Sequence, residues 1–193
     1  MFQPGEEGFH GARFMLEEGL LDAAFAALLA EGPGFGAAAV ARHAGASKAL
    51  VFHHFGSREG LLDAMAARVL AQTQEGLARL ADDYPDPRRR LDALARTLLE
   101  EPQDATPQQA RHVLAFWLAT DATGGCRAQL RDALVADFVE KTLREAGLRA
   151  PGLADLLLTR WHGATVLYAS GRPVDFEREA RALADAVAAA LAR

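Results

Sequence analysis

Apolar positions recur at spacings of three and four along most of the chain, and no run alternates apolar with polar for the length of a strand. That pattern predicts helices throughout. From about Arg13 to Glu31, Leu16, Leu20, Ala24 (or Ala23), Ala27 and Leu28 mark one face of a helix that ends at Gly32-Pro33-Gly34. Val40, Ala41 and Ala44 mark the inward face of a short second helix, which Gly45 ends by taking a left-handed conformation. Ser47 is placed to cap a third helix, with Val51 and Phe55 inward and Lys48, Ala49, Phe52 and His53 on the other side. Ser57 caps a fourth, in which Leu62, Met65, Val69, Leu77 and Leu80 run without a breaker to Tyr84-Pro85-Asp86-Pro87. This helix is too long to serve a small N-terminal unit alone and is the natural connector to the rest of the chain.

Beyond the connector, punctuation divides the chain. Asp86-Pro87 and Thr106-Pro107 each start a helix as N-cap and N1, stopped by Pro102 and by Gly124-Gly125 respectively. A further helix runs from Arg127 to Ala146, another lies between Pro151 and Gly171, and Asp175 leads into a last one to Ala192. The expectation is an all-α chain of about nine helices by this count. Its domains are 1–57, a three-helix unit, and 58–193, a larger helical unit in which 58–82 is the connecting helix.

Composition narrows the class. Half of the 193 residues are hydrophobic, with alanine and leucine dominant, as befits a globular helical chain. No charge-free apolar run reaches the ~18 residues that a membrane span needs, and acids stand where a signal peptide carries bases, so a cytoplasmic protein without a membrane partner is expected. The single cysteine, Cys126, excludes an internal disulfide and a multi-cysteine zinc site. Neither a catalytic motif nor a metal-ligand cluster is found, so no enzyme activity and no cofactor is expected. The net charge of −5 argues against indiscriminate nucleic-acid binding. It leaves room for a local basic patch: between Phe35 and Gly60, Arg42, Lys48 and Arg58 face one acid, Glu59, with His43, His53 and His54 able to add charge. Upstream, Arg13 stands against Glu6, Glu7, Glu17, Glu18, Asp22 and Glu31.

Two short helices joined by a tight glycine turn, the second with a basic and aromatic outer face, fit either a helix-turn-helix or an ordinary helical hairpin. The wording of the segment is more specific. Val40-Ala41-x-x-Ala44-Gly45-Ala46-Ser47, then Val51-Phe52-x-His54-Phe55 and Ser57-Arg58-Glu59-x-Leu61-Leu62, resembles the DNA-binding signature of the TetR family over roughly residues 13 to 70. The resemblance implies a small N-terminal reading domain and a variable helical domain that binds a ligand and dimerises. It implies a transcriptional regulator, a repressor released by a small-molecule effector, whose partners are a double-stranded pseudo-palindromic operator and a second copy of itself. The candidate DNA-binding residues are Ser47, Lys48, Ala49, Leu50, Phe52, His53, His54 and Arg58, with Lys48 foremost for a base edge and Arg58 for phosphate. Family members carry phosphate-binding hydroxyls where this chain has Ala37 and Phe52. The competing reading is therefore a helical dimeric module that binds small molecules or proteins without DNA recognition.

The last two helices carry apolar stripes, Leu153, Leu157, Trp161, Ala164, Tyr168 and Phe176, Ala180, Leu183, Val187, Ala190. Either each faces its own core or the two pair with their copies in a four-helix bundle. The second is expected, because a twofold reader needs a twofold axis, and Leu157, Ala164, Ala180, Leu183 and Val187 are its candidate dimer contacts. For the effector, Leu114-Ala115-Phe116-Trp117 and the stretch from Gly163 to Asp175 are similar to the choline-responsive, BetI-like branch of the family, with His162 and Thr165 in place of an acid and a tryptophan. Phe116, Trp117, Asp121, Trp161, His162 and Tyr168 are the candidate ligand residues, either as an aromatic cage for a quaternary ammonium or as plain core filling.

Overall fold

A computed structural model describes residues 6–100, 105–119 and 127–192. Among them are nine helices and no strand: α1 (Glu6–Glu31), α2 (Ala37–Ala44), α3 (Lys48–Phe55), α4 (Arg58–Asp83), α5 (Pro87–Glu100), α6 (Pro107–Leu118), α7 (Arg127–Glu145), α8 (Leu153–Ala169) and α9 (Phe176–Leu191). The expected punctuation sets most of these ends. Gly45 closes α2 at φ 60°, ψ 29°, and its N–H returns to the carbonyls of Ala41 and Arg42. Thr106 and Gln109 form a reciprocal capping box at α6, with Pro107 at its first position. Asp175 accepts from the N–H of Arg178 at the head of α9. Cys126 and Asp121 lie outside the described residues, as does the Gly124-Gly125 stop.

The chain divides into two compact units, Met1–Arg68 and Val69–Arg193. The division falls inside α4, not at its start, because the first turns of that helix bury Leu61, Leu62, Met65 and Ala66 in the first unit. There α1 packs on α2 and α2 on α3. Small residues fill much of this core: Ala24 and Ala27 of α1 and Ala39, Val40 and Ala41 of α2 are buried, wedged by Leu20, Leu28, Phe35 and Val51. Arg68 ties α4 back to α1, pairing with Asp22 at 2.7 Å and Glu18 at 3.4 Å. Gly60 is fixed by close approach, since a Cβ there would stand 2.2 Å from the carbonyl oxygen of Phe55.

In the second unit α5 packs along α9, and α6, α7 and α9 contact α8. Its core combines large side chains, among them Leu91, Leu99, Val139, Leu157, Trp161 and Leu183, with alanines such as Ala95, Ala154 and Ala180. This bears on the candidate dimer contacts. Leu157, Ala164, Ala180, Leu183 and Val187 are all buried inside their own protomer, Leu157 at 0% and Val187 at 1% exposure, and of the five Ala164 also lines a surface groove between α8 and α9. The stripes face inward because α5 lies against α9 and α6 and α7 against α8, giving each stripe a partner within the chain. Arg90, also buried, holds the α4–α5 turn, donating to the Tyr84 carbonyl at 3.0 Å and pairing with Glu145 at 2.5 Å.

Candidate nucleic-acid interface and effector cavity

The third helix presents the predicted outer face. Ser47 caps it, accepting from the Leu50 N–H at 3.1 Å, and Val51 anchors it in the core. Lys48, Ala49, Phe52 and His53 are exposed, and Leu50 is half-buried. The Lys48 Nζ lies 5.6 Å from the centre of the Phe52 ring, a cation–π contact that holds the long side chain over an apolar platform. Beside it is a hollow of about 280 Å³ lined by Gly36, Ala37, Ala38, Lys48, Phe52 and Ser57, among others. Ala37 and Phe52, the positions where the family signature carries hydroxyls, therefore meet at one place. That place is the start of α2, whose N-cap Gly36 offers no side-chain cap, so its first N–H groups point outward with the positive end of the helix dipole.

Two candidates sit differently: Arg58 lines the same hollow but is tied to the main chain, and His54 is turned in. Arg58 spends its guanidinium on the main chain of the α1–α2 connection, donating to the carbonyl of Pro33 and, at 3.4 Å, to that of Phe35, while a third nitrogen reaches Glu59 at 3.3 Å. It braces the start of α4 against the α1–α2 connection. His54 is turned inward: its Nε2 is buried, with no hydrogen-bond partner among the described residues. Adjacent helical residues face different sides, so only one of His53 and His54 can be outermost. Arg42 pairs with Glu31, which removes part of the basic patch counted along the sequence.

In the second unit Trp117, Trp161 and His162 come together on a cavity of about 310 Å³, walled also by Ala110, Val113, Leu114, Leu118 and Val166. A second hollow of about 470 Å³ lies between α4, α5, α7 and α8, lined by Val69, Leu77, Leu80, Leu94, Leu98 and Val135 among others. The remaining aromatic candidates go elsewhere. Phe116 is buried edge-on behind Trp117, at 5.2 Å between ring centres. Tyr168 packs on Phe176 at 5.3 Å and donates its hydroxyl to the Ala105 carbonyl at 2.5 Å. Both tryptophan faces are already in contact with a cation of the protein. The guanidinium of Arg131 lies 4.1 Å from the ring centre of Trp161 and 4.8 Å from that of Trp117. Sequence reasoning missed Arg131, although a signal was present: Arg127, Arg131, Val135 and Val139 follow each other at i+4, so two arginines continue an apolar stripe of α7. His162 stacks on Trp161 at 5.0 Å, and its Nε2 is 3.2 Å from a carboxylate oxygen of Asp132.

Comparison with known proteins settles the family. Residues 20–65 match the family described as bacterial regulatory proteins, tetR family. The HTH-type transcriptional regulator BetI of Burkholderia mallei is 31% identical over 176 residues, covering 86% of this chain and 88% of that protein. The chain belongs to the TetR family. BetI of Stenotrophomonas maltophilia is 36% identical over a shorter stretch of 84 residues, so that match spans 43% of this chain and 42% of its relative. Among solved structures, SmeT, the repressor of the Stenotrophomonas maltophilia multidrug efflux pump SmeDEF, shares the fold with a TM-score of 0.65 at 23% identity, covering 90% of this chain and 89% of SmeT. The TetR-type helix-turn-helix is α2 and α3, and the chain is a DNA-binding transcriptional regulator; its relatives are named as regulators and not as enzymes. Among the described residues no helix is long and apolar enough to cross a membrane, and no group of three metal-ligating side chains occurs.

Proposed function

We propose that this TetR-family regulator is a repressor that reads a pseudo-palindromic operator as a homodimer and is released by a small-molecule effector held in its second unit. The observation that carries the reading role is the exposed face of α3, with Lys48 over Phe52 beside the uncapped start of α2. Lys48 takes a guanine edge, Ala49 and Leu50 a thymine methyl, and Ser47 and His53 the flanking backbone. The main-chain amides of Ala37 and Ala38 at the uncapped start of α2 take phosphate. The residues 1–57 form the reading domain, supported by the first turns of α4, and the remainder of the chain forms the sensing domain. The dimer face is the outward side of α8, where Leu156 and Leu167, each 43% exposed, flank Gly163 above a groove that α9 borders with Arg178 and Glu179.

Effector release runs through α4, which contributes Leu61, Leu62 and Met65 to the reading core and Val69, Leu77 and Leu80 to the wall of the larger hollow. A ligand acts only by binding one conformer better, and about 5.5 kcal/mol of differential affinity converts a nearly all-bound population to a nearly all-released one. Binding to duplex fragments from upstream of the coding sequence tests the reading role. Lys48→Ala is expected to cost ~1 to 3 kcal/mol and to relax preference at one base pair. Sedimentation of Leu156→Glu tests assembly: protomers that separate while remaining folded support the α8 face, and an unchanged dimer rejects it.

A further inference from the structure

The Lys48 ammonium is held by a ring and not by a carboxylate. Its Nζ lies 5.6 Å from the centre of the Phe52 ring at i+4, and among the described residues no acid pairs with it. The third helix itself carries no acid, and the acids that flank α2 and α3 in the sequence, Glu31 and Glu59, pair with Arg42 and Arg58. The two kinds of partner differ in what they leave over. A carboxylate takes up N–H donors and cancels charge, whereas a ring face attracts the ammonium through its quadrupole and leaves both charge and donors for a base edge. The i, i+4 spacing also sets the ring beside the lysine stem, which narrows the range of a long, flexible side chain. A core role does not account for the ring. Val51 anchors the helix at 2% exposure, while Phe52 stands 42% exposed at the hollow that Lys48, Ala37 and Ala38 also line. Nor does it give a phosphate a hydrogen bond, because phenylalanine has no hydroxyl.

We infer that Phe52 is a positioning residue for base recognition: its ring face holds the Lys48 ammonium, fully charged and with its donors unspent, in the aim from which it meets a base edge. The inference rests on the reading of Lys48 as the base-contacting side chain of α3. It gives Phe52 an effect on which base pair is preferred. A hydroxyl at the same place would act on phosphate and bear on every sequence alike.

The probe is a duplex enriched from a random-sequence pool by the full-length protein, together with its single base-pair variants, and affinities are read by fluorescence anisotropy. Lys48→Ala locates the base pair that Lys48 reads, as the one where preference falls. At that pair, replacing Phe52 by 4-fluoro-, 3,5-difluoro- and 3,4,5-trifluorophenylalanine withdraws charge from the ring face stepwise with little change of shape. Preference is expected to fall in the same order, by about two- to five-fold at the last member. Phe52→Leu is expected to lose at least as much, and Phe52→Tyr, which keeps the ring, to retain the preference. In Lys48→Ala the fluorinated series is expected to change nothing further at that pair. A preference that stays constant along the series, in a protein where Lys48→Ala lowers it, overturns the positioning role and leaves Lys48 as the reader. A fall that is equal at every base pair and on random duplex marks a merely structural ring and also overturns it. If Lys48→Ala shifts preference at no base pair, the reading role of Lys48 itself fails. The fluorinated rings keep the size of phenylalanine, so the series decides the question even if Phe52→Leu does not fold.

Discussion

The two units both bury many alanines and differ in the large side chains placed beside them. In the first, the buried face where α1 meets α2 is rich in alanine, with Ala24 and Ala27 from one helix and Ala39 and Ala41 from the other. In the second, Ala95, Ala154, Ala180 and Ala184 are buried beside leucines, valines and the two tryptophans, and hollows of about 310 and 470 Å³ lie between the helices. Small side chains let helices approach closely and leave few alternative packings; large ones leave gaps wherever their shapes do not match. Charge follows the same division: described arginines of the first unit serve as surface ties between helices, while Arg90 and Arg127 of the second are buried.

A charge placed in the larger core tests this contrast most severely. Val187→Glu buries a carboxylate among the residues of α5, α8 and α9 and is expected to cost on the order of 4 kcal/mol or more, unfolding the second unit. Urea denaturation checks this, and a variant that separates into folded protomers instead would return Val187 to the dimer surface. Next in size are paired overpacking changes. Ala27→Leu is expected to destabilise the first unit by ~1 to 3 kcal/mol, since no space adjoins it, whereas Val135→Leu, on the wall of the larger hollow, is expected to stay within ~1 kcal/mol of the wild type. Equal losses in thermal unfolding would show that the second unit is as tightly filled as the first. The smallest effect is expected at Arg58. Its half-exposed guanidinium braces the carbonyls of Pro33 and Phe35, so Arg58→Ala should lower the stability of the first unit by ~1 kcal/mol. The salt dependence of operator binding should be unchanged; a slope reduced by about one would put Arg58 back on a phosphate.

Much was legible in the residues alone, and for a common reason. Helix starts and stops are local events: Ser47, Thr106 and Asp175 cap the turns they precede, and Gly45 takes the left-handed conformation that a short helix needs to end. The inward role of Val51 and the outward role of Lys48, Ala49, Phe52 and His53 follow from a period of 3.6 within eight residues. The all-α fold and the helix-turn-helix were thus fixed by short-range chemistry. What needed the tertiary structure is everything that depends on a partner far along the chain. Periodicity says that α8 and α9 have an apolar face but not what covers it, and α5, α6 and α7 cover it from within the protomer. It places Arg58 at a helix start but cannot show that Pro33 and Phe35 lie within its reach, 25 and 23 residues upstream. It finds Trp117 and Trp161, yet not the Arg131 guanidinium that lies against both. A side chain's spacing is set by its own helix, and its charge environment by helices that only folding brings near; that is why the exposed face of α3 was visible in the sequence and the guanidinium beside the two tryptophans was not.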